Sequence, residues 1–288
     1  MRETAAEART SAGWRTRERV SRSAGRRSRG LGLAAASMPL VLLVLLPLLA
    51  LVLHVTPADF LAALAQPEVG QALQLSLVTT LVATGLALVF GTPTAYLLAR
   101  RNFPGRTAIE TLLELPMILP PAVAGIALLV AFGRRGLLGQ WLSAAGVDIA
   151  FTPVAVVLAQ LFVAGPFYLK AATAAFATAD REVEQAAEVD GAGPFAVFRH
   201  ITLPLAAVPL IGGTVMMWAR ALGEFGATII FAGNFPGRTQ TMPLAIYLGF
   251  ELDLRISLAL ALILLVTSAA VLLVIKGILG RRISGVIQ

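Results

Sequence analysis

Residues 33–55 read LAAASMPLVLLVLLPLLALVLHV, an almost unbroken apolar run. About 20 helical residues cross the roughly 30 Å hydrocarbon core of a bilayer, so this run is long enough to span a membrane. A cleaved secretory signal has a shorter apolar core, which favours a retained span here. Five further runs of similar character follow, at 73–99, 111–132, 152–175, 202–232 and 256–277. The sequence therefore predicts an all-α integral membrane protein with six transmembrane helices.

The composition supports this class. Apolar residues make up 57% of the 288 positions, charged residues 14%, and the mean hydropathy is +0.82, which is outside the usual range of soluble domains. The absence of cysteine excludes a disulfide framework, a thiolate metal site and a cysteine nucleophile. The two histidines, His54 and His200, are far apart in sequence, so we predict no metal site. The sequence offers no catalytic residue.

The net charge of +7 comes from basic residues that cluster at the ends of apolar runs. They are not interleaved with exposed aromatic residues, which favours a lipid bilayer surface over nucleic acid as their partner. Residues 1–30 contain nine arginines and three glutamates among small residues, so we expect a disordered basic arm. The transmembrane domain is predicted over 31–280 and a tail over 281–288.

The distribution of Lys and Arg predicts the orientation, because cytoplasmic loops retain positive charge. With the N-terminus inside, eighteen of these residues, Lys170 among them, fall on the cytoplasmic side. Four fall outside, and Arg220 lies within a span. We therefore expect a multi-pass protein with the arm, the tail and the loop at 178–204 in the cytoplasm.

That loop contains DREVEQAAEVDGAGPFAVFRHITLP at 180–204. Asp180 suits a helix N-cap, and Glu184 then lies near the positive end of the helix dipole. Gly191 suits the left-handed position after a helix, and Pro194 suits the first turn of the next helix. The pattern predicts a short helix, a glycine turn and a second helix that leads into the fifth span.

Small side chains at Ala186 and Ala187 would let the short helix lie deep in a partner's groove. The residues alone equally allow a helix that only organises the loop at the membrane surface. A docking element and a structural helix therefore both remain open at this level.

The loop resembles the EAA loop of bacterial ABC importer permeases, whose pattern is Glu-Ala-Ala, three residues, Gly, nine residues, Ile, one residue, Leu-Pro. Gln185 departs from the pattern at the glutamate position, and Glu184 directly precedes it. The resemblance implies a type I importer permease whose coupling helix binds a separate ATPase. The implied coupling residues are Glu184, Gln185, Ala186, Ala187, Asp190, Gly191, Pro194, Leu203 and Pro204. The sequence has no Gly-x-x-x-x-Gly-Lys-[Ser/Thr] phosphate loop, so ATP is expected on that partner and no cofactor in this chain.

A second resemblance concerns the substrate. Residues 218–247 read WARALGEFGATIIFAGNFPGRTQTMPLAIY, whose first part is similar to both molybdate and sulfate permeases. The continuation from Phe231 is similar to the molybdate branch, and the resemblance extends over about 35–280. It implies a homodimeric molybdate permease of the bacterial cytoplasmic membrane, with two ATPase subunits and an external molybdate-binding protein. The alternatives are a sulfate or tungstate permease, an ion-coupled secondary transporter and a membrane scaffold.

Two further groups of residues are candidate sites. Arg220 and Glu224 are four residues apart and can pair on one helix face, which favours a structural ion pair over a pathway residue. A strong fixed cation in the pathway would also hold a divalent oxyanion too tightly for release. The second group, on the outer side, is either an outer mouth or binding-protein contact or a solvated loop. It comprises Asn234, Pro236, Gly237, Arg238, Thr239 and Gln240.

Overall fold

The computed structural model describes residues 36–284. The predicted basic arm at 1–30 lies outside the described residues, as does the predicted tail from residue 285 onward. Within 36–284 the regular elements are all helical, which confirms the predicted all-α class. The helix at Ala36–His54 belongs to one compact unit, and residues 55–284 form a second.

The helices are numbered along the chain, with two π-helical segments labelled π1 and π2. They are α1 Ala36–His54, α2 Pro57–Leu64, α3 Pro67–Leu86, π1 Ala87–Gly91, α4 Thr92–Arg100, α5 Arg106–Ile118, α6 Pro121–Phe132, α7 Gly139–Ala144, α8 Pro153–Thr178, α9 Arg181–Val189, α10 Pro194–Val197, π2 Phe198–Thr202, α11 Leu203–Leu205, α12 Ala207–Leu222, α13 Gly226–Phe231, α14 Met242–Leu252 and α15 Leu254–Ser284.

Four stretches of the described chain are single helices long and apolar enough to cross a membrane: Ala36–His54, Pro67–Arg100, Pro153–Thr178 and Leu254–Val274. Two bent pairs bring the number to six if each pair counts as one span. The axes of α5 and α6 differ by 117°, and the axes of the α10–α11 segment and α12 differ by 71°. The six predicted spans are therefore present, but two of them are broken.

The third and fifth predicted spans are each interrupted in the structure. The third breaks at Leu119 and Pro120, because Pro120 and Pro121 lack the N–H groups that would continue the helix. The fifth bends at Ala206, between α11 and α12, and is interrupted a second time at Gly223 to Phe225, after which α13 begins. This second interruption contacts the break in the third span: a Cβ on Gly226 would lie only 2.6 Å from the Cβ of Pro121.

Helix α8 lies at the centre of the second unit and packs against α3, α4, α5, α12 and α13. Small residues allow the close approach: a Cβ on Gly213 of α12 would lie 2.5 Å from the Cβ of Ala171. The hydroxyls of Tyr168 and Thr92 are 2.6 Å apart and join α8 to the start of α4.

Each π-helical segment ends two residues before a proline. Segment π1 ends at Gly91, before Pro93, and π2 ends at Thr202, before Pro204. A proline ring clashes with the carbonyl four residues before it, and the wider π turn relieves that clash. Two helical stretches of the second unit therefore depart from regular α geometry just before a proline.

Candidate functional site

The loop at 178–204 has the predicted helix, glycine turn and second helix. Helix α9 begins after Asp180, whose Oδ1 accepts a hydrogen bond from the Glu182 N–H at 2.9 Å. It ends at Val189, and Gly191 follows the C-cap residue Asp190 with a φ of +91°, the left-handed conformation that favours glycine. The Ala192 N–H donates to the Ala187 carbonyl at 2.9 Å, which completes a Schellman cap. Pro194 then begins α10, as predicted.

The outer face of the loop is open. Helix α9 has no fully buried residue, and Gln185 and Ala186 are exposed. Two apolar side chains flank the glycine turn: Val189 is 87% exposed and Phe195 is 74% exposed. Neither residue was predicted from the sequence as a candidate contact. The signal was present, since each is an apolar residue close to a predicted glycine turn.

The inner face of α9 is held by Glu184, which is partly buried. Glu184 Oε1 accepts a hydrogen bond from Arg100 Nη2 at 2.6 Å and another from the Thr202 hydroxyl at 2.6 Å. Arg100 Nη2 also donates to the carbonyl of Ala179 at 3.3 Å. The Arg100 and Glu184 side chains are 8% and 12% exposed. One carboxylate oxygen thus joins α4, α9 and π2. The contacts of Glu184 with Arg100 and Thr202 are called the ionic tie.

An aromatic cluster lies between α4, α8 and π2. The ring centroid of Tyr96 on α4 is 5.6 Å from that of Phe176 on α8 and 5.0 Å from that of Phe198 on π2, both in edge-to-face geometry. Such pairs contribute about 0.5–1.5 kcal/mol beyond their buried area. The cluster therefore holds α4 and π2, the two elements that Glu184 binds, against α8.

The remaining predicted coupling residues occupy distinct places in the loop. Asp190 is exposed at the end of α9, and Ala187 is half-buried on its inner side. Leu203 packs against the core cluster that contains Ala206 and Leu210, and Pro204 is exposed two residues after the end of π2. These residues connect the open face of α9 to the start of α12.

Arg220 and Glu224 form the ion pair that their spacing predicts, with Nη1 of Arg220 2.7 Å from Oε2 of Glu224. Glu224 is 1% exposed, and its Oε1 accepts a hydrogen bond from the Ala227 N–H at 2.9 Å in the first turn of α13. The pair therefore lies at the break between α12 and α13 and connects the end of one helix to the first turn of the next.

The six residues of the predicted outer segment separate into an exposed and an enclosed group. Pro236, Gly237 and Arg238 are exposed, whereas Thr239 and Gln240 are buried. The Thr239 hydroxyl accepts a hydrogen bond from the Phe235 N–H at 3.2 Å, which closes the turn. Asn234 is half-buried and donates through Nδ2 to the Leu244 carbonyl at 3.4 Å. In this conformation only the exposed group is available to a partner.

Comparison with known proteins agrees with this architecture. The molybdenum transport system permease protein ModB of Mycobacterium tuberculosis is 43% identical over 233 residues, which is 81% of this chain and 88% of the relative. The sulfate transport system permease protein CysW of Synechocystis is 33% identical over 256 residues, which is 87% of this chain and 92% of the relative.

The fold has a solved counterpart in a bacterial ABC transporter that imports the acidic polysaccharide alginate. The TM-score is 0.65 at 18% identity, covering 88% of this chain and 96% of that chain. Residues 87–285, which include the loop and the tie at Glu184, match the family described as the inner membrane component of binding-protein-dependent transport systems. The chain therefore belongs to this family of multi-pass membrane permeases.

Proposed function

We propose that the protein is the transmembrane subunit of an ATP-driven molybdate importer, in which the loop at 178–204 binds a cytoplasmic ATPase. Two copies of this chain enclose the pathway, two ATPase subunits bind below, and a molybdate-binding protein delivers the anion from outside. ATP is bound by the ATPase subunits and not by this chain. The observation that carries the proposal is the open outer face of α9 above a buried ionic tie to the bundle.

Molybdate is favoured by the relatives and by the sequence at 231–247. The relative named for molybdenum transport is 43% identical, and the one named for sulfate transport is 33% identical. Sulfate remains the second candidate because the sulfate relative is aligned over a slightly larger share of this chain. Both are tetrahedral dianions, so one architecture serves either substrate.

The proposed orientation places both termini and the loop at 178–204 in the cytoplasm. It is supported by the positive residues near the loop, since Arg100, Arg101, Arg181 and Arg199 all lie at the end of the bundle that contains α9. Cytoplasmic segments of membrane proteins are enriched in such residues.

The proposed mechanism follows from the tie at Glu184. The outer face of α9 binds the ATPase, and the inner face transmits movement through Glu184 to Arg100 on α4 and Thr202 on π2. The irregular segments π1 and π2 and the two broken spans are the places where the helices bend. ATP binding then alternates the bundle between inward-open and outward-open states.

Reconstitution tests the function directly. The chain is placed in proteoliposomes with its candidate ATPase and binding protein, and uptake of radiolabelled molybdate, sulfate and tungstate is measured. We expect ATP-dependent molybdate uptake that requires all three proteins. ATP-dependent uptake of sulfate alone would select the sulfate alternative. Uptake that persists without the ATPase and follows an ion gradient would contradict the proposal.

Crosslinking tests the docking face. A photoreactive residue at Val189 or Phe195 is expected to capture the ATPase in native membranes, because both side chains project from the loop. Val78 on α3 is the matched control, since it is apolar and 51% exposed but lies within a membrane span. Failure of both loop positions to capture the ATPase would remove the support for docking through α9.

A further inference from the structure

A polar groove lies between α5 and α8, away from the coupling loop's ionic tie. Its volume is about 550 Å³. The polar residues that line it include Thr107, Glu110, Thr111 and Glu114 from α5, and Lys170 and Thr173 from α8. On each helix these positions recur at intervals of three or four residues, so each set forms a stripe along one helix face.

The groove contains one ion pair. Lys170 Nζ is 2.9 Å from Glu114 Oε2. The Lys170 side chain is 60% exposed and the Glu114 side chain is 29% exposed, so the ammonium faces the open groove. The charge distribution along the sequence predicts Lys170 on the cytoplasmic side, whereas in the structure Lys170 lies within α8, eight residues before its end.

The depth of this pair decides what surrounds it. Glu114 is eight residues from the start of α5 and Lys170 eight residues from the end of α8, which is about 12 Å along each helix. Helix α8 is about 39 Å long and exceeds the roughly 30 Å hydrocarbon core by about 9 Å. Even if all of this excess lies at the end near Lys170, Lys170 is still inside the span. Charged side chains within spans face water-filled cavities or protein, because exposure to hydrocarbon is costly.

The opposite face of α5 has the contrasting composition. Ile109, Leu112, Leu113 and Pro116 lie there, and three of them line a separate apolar pocket against α3, α4 and α8. Helix α5 therefore separates an apolar environment from a polar one. An amphipathic helix within a span is expected where one face meets water.

We propose that the groove between α5 and α8 is water-filled and forms the inner part of the path of the transported oxyanion, with Lys170 as its cationic contact. This inference rests on the proposed function. Glu114 offsets the charge of Lys170, so the anion is attracted without being held tightly. A volume of about 550 Å³ accommodates a tetrahedral oxyanion with several waters.

The natural chain has no cysteine, so single thiols can be introduced without background reaction. Thr111→Cys and Thr173→Cys are placed in the assembled transporter in inverted membrane vesicles and treated with an anionic, membrane-impermeant thiosulfonate. Ile109→Cys, at a similar depth on the opposite face of α5, is the control. We expect the groove thiols to react at least about tenfold faster, because only a thiol in water forms the reactive thiolate.

Anion occupancy is tested in the same vesicles. Molybdate is expected to slow the labelling of Thr111→Cys, and Lys170→Gln is expected to abolish that protection. Glu114→Gln is expected to give protection at roughly fivefold to tenfold lower molybdate, because the counter-charge has been removed. A groove that is merely wet would show rapid labelling without these charge-dependent shifts, which would overturn the role of Lys170.

One other outcome overturns the proposal. Equal, slow labelling at Thr111→Cys and Ile109→Cys would show that the groove is closed to water. The failure of the proposed function is distinguishable, since it would remove ATP-dependent uptake by the unaltered chain, whereas failure of this inference leaves that uptake intact.

Discussion

Two acid–base pairs in the same half of the molecule have similar geometry and opposite surroundings. Arg100 and Glu184 are 2.6 Å apart and about one-tenth exposed, whereas Lys170 and Glu114 are 2.9 Å apart and far more open. The buried pair also binds the Thr202 hydroxyl and therefore joins three helices. The open pair joins only two. An acid–base pair thus connects helices where it is buried, and it presents charge to the groove where it is exposed.

The largest effect is expected from breaking the buried pair. Arg100→Met leaves the Glu184 carboxylate partly buried without its cation, which costs about 3–5 kcal/mol. We expect the unfolding midpoint in detergent to fall by about 10 °C or more. ATP-driven uptake should fall more than the amount of folded protein does, because α9 loses its connection to α4.

Two variants check this interpretation. Arg101→Met removes a neighbouring exposed cation and should leave the midpoint nearly unchanged. The double variant Arg100→Met with Glu184→Gln removes both charges and should recover part of the stability but not the uptake. Full recovery of uptake in the double variant would contradict a transmitting role for the pair.

A smaller effect is expected at Thr202. Thr202→Val keeps the shape and removes the hydroxyl that donates to Glu184, a charged acceptor, which costs about 1.5–3 kcal/mol. Thr214→Val is the matched control, because the Thr214 hydroxyl donates only to a carbonyl of its own helix. Thermal unfolding and uptake of the two variants are compared. Equal effects would show that the hydrogen bond to Glu184 has no special part in the tie.

Substitutions in the glycine turn test the geometry of the docking loop without changing either ion pair. Gly191 has a φ of +91°, so Gly191→Val forces a β-branched residue into left-handed geometry at about 1–2 kcal/mol. Space is not the cause, since a Cβ at Gly191 would have no atom within 4 Å. Gly193→Val is the matched control, because Gly193 is also unobstructed but has a φ of −70°.

We expect Gly191→Val to lower molybdate uptake by about tenfold while ATP hydrolysis by the assembled complex continues. Gly193→Val should retain normal coupling. The ratio of molybdate transported to ATP hydrolysed measures the difference. An unchanged ratio in Gly191→Val would contradict a coupling role for the geometry of the turn.

The sequence predicted the features that depend on local pattern. Apolar runs located the six spans, and Asp180, Gly191 and Pro194 located the boundaries of the two helices in the loop, because caps and turns are set by nearest neighbours. The predicted pairing of Arg220 and Glu224 also follows from helical spacing.

Contacts between distant elements were beyond this kind of prediction. Arg100 and Glu184 are 84 residues apart, and no spacing rule joins the end of one helix to a loop so far along the chain. Likewise, a count of charges predicted Lys170 to be cytoplasmic. Its partner Glu114 lies 56 residues earlier, so no spacing rule indicated that the two residues pair. The break at Pro120 and Pro121 was visible as a proline pair, but its 117° bend depends on packing against α13.

The smallest effect on stability is expected at the open pair. An ion pair with this much exposure contributes about 0–1 kcal/mol, because water solvates both charges when the pair is broken. Lys170→Gln should therefore shift the unfolding midpoint by only about 0–4 °C, against the much larger fall expected for Arg100→Met. Both are measured in the same detergent. A large fall for Lys170→Gln would mean that Lys170 is enclosed in the assembled protein, so that the groove would be a protein contact and not an aqueous path.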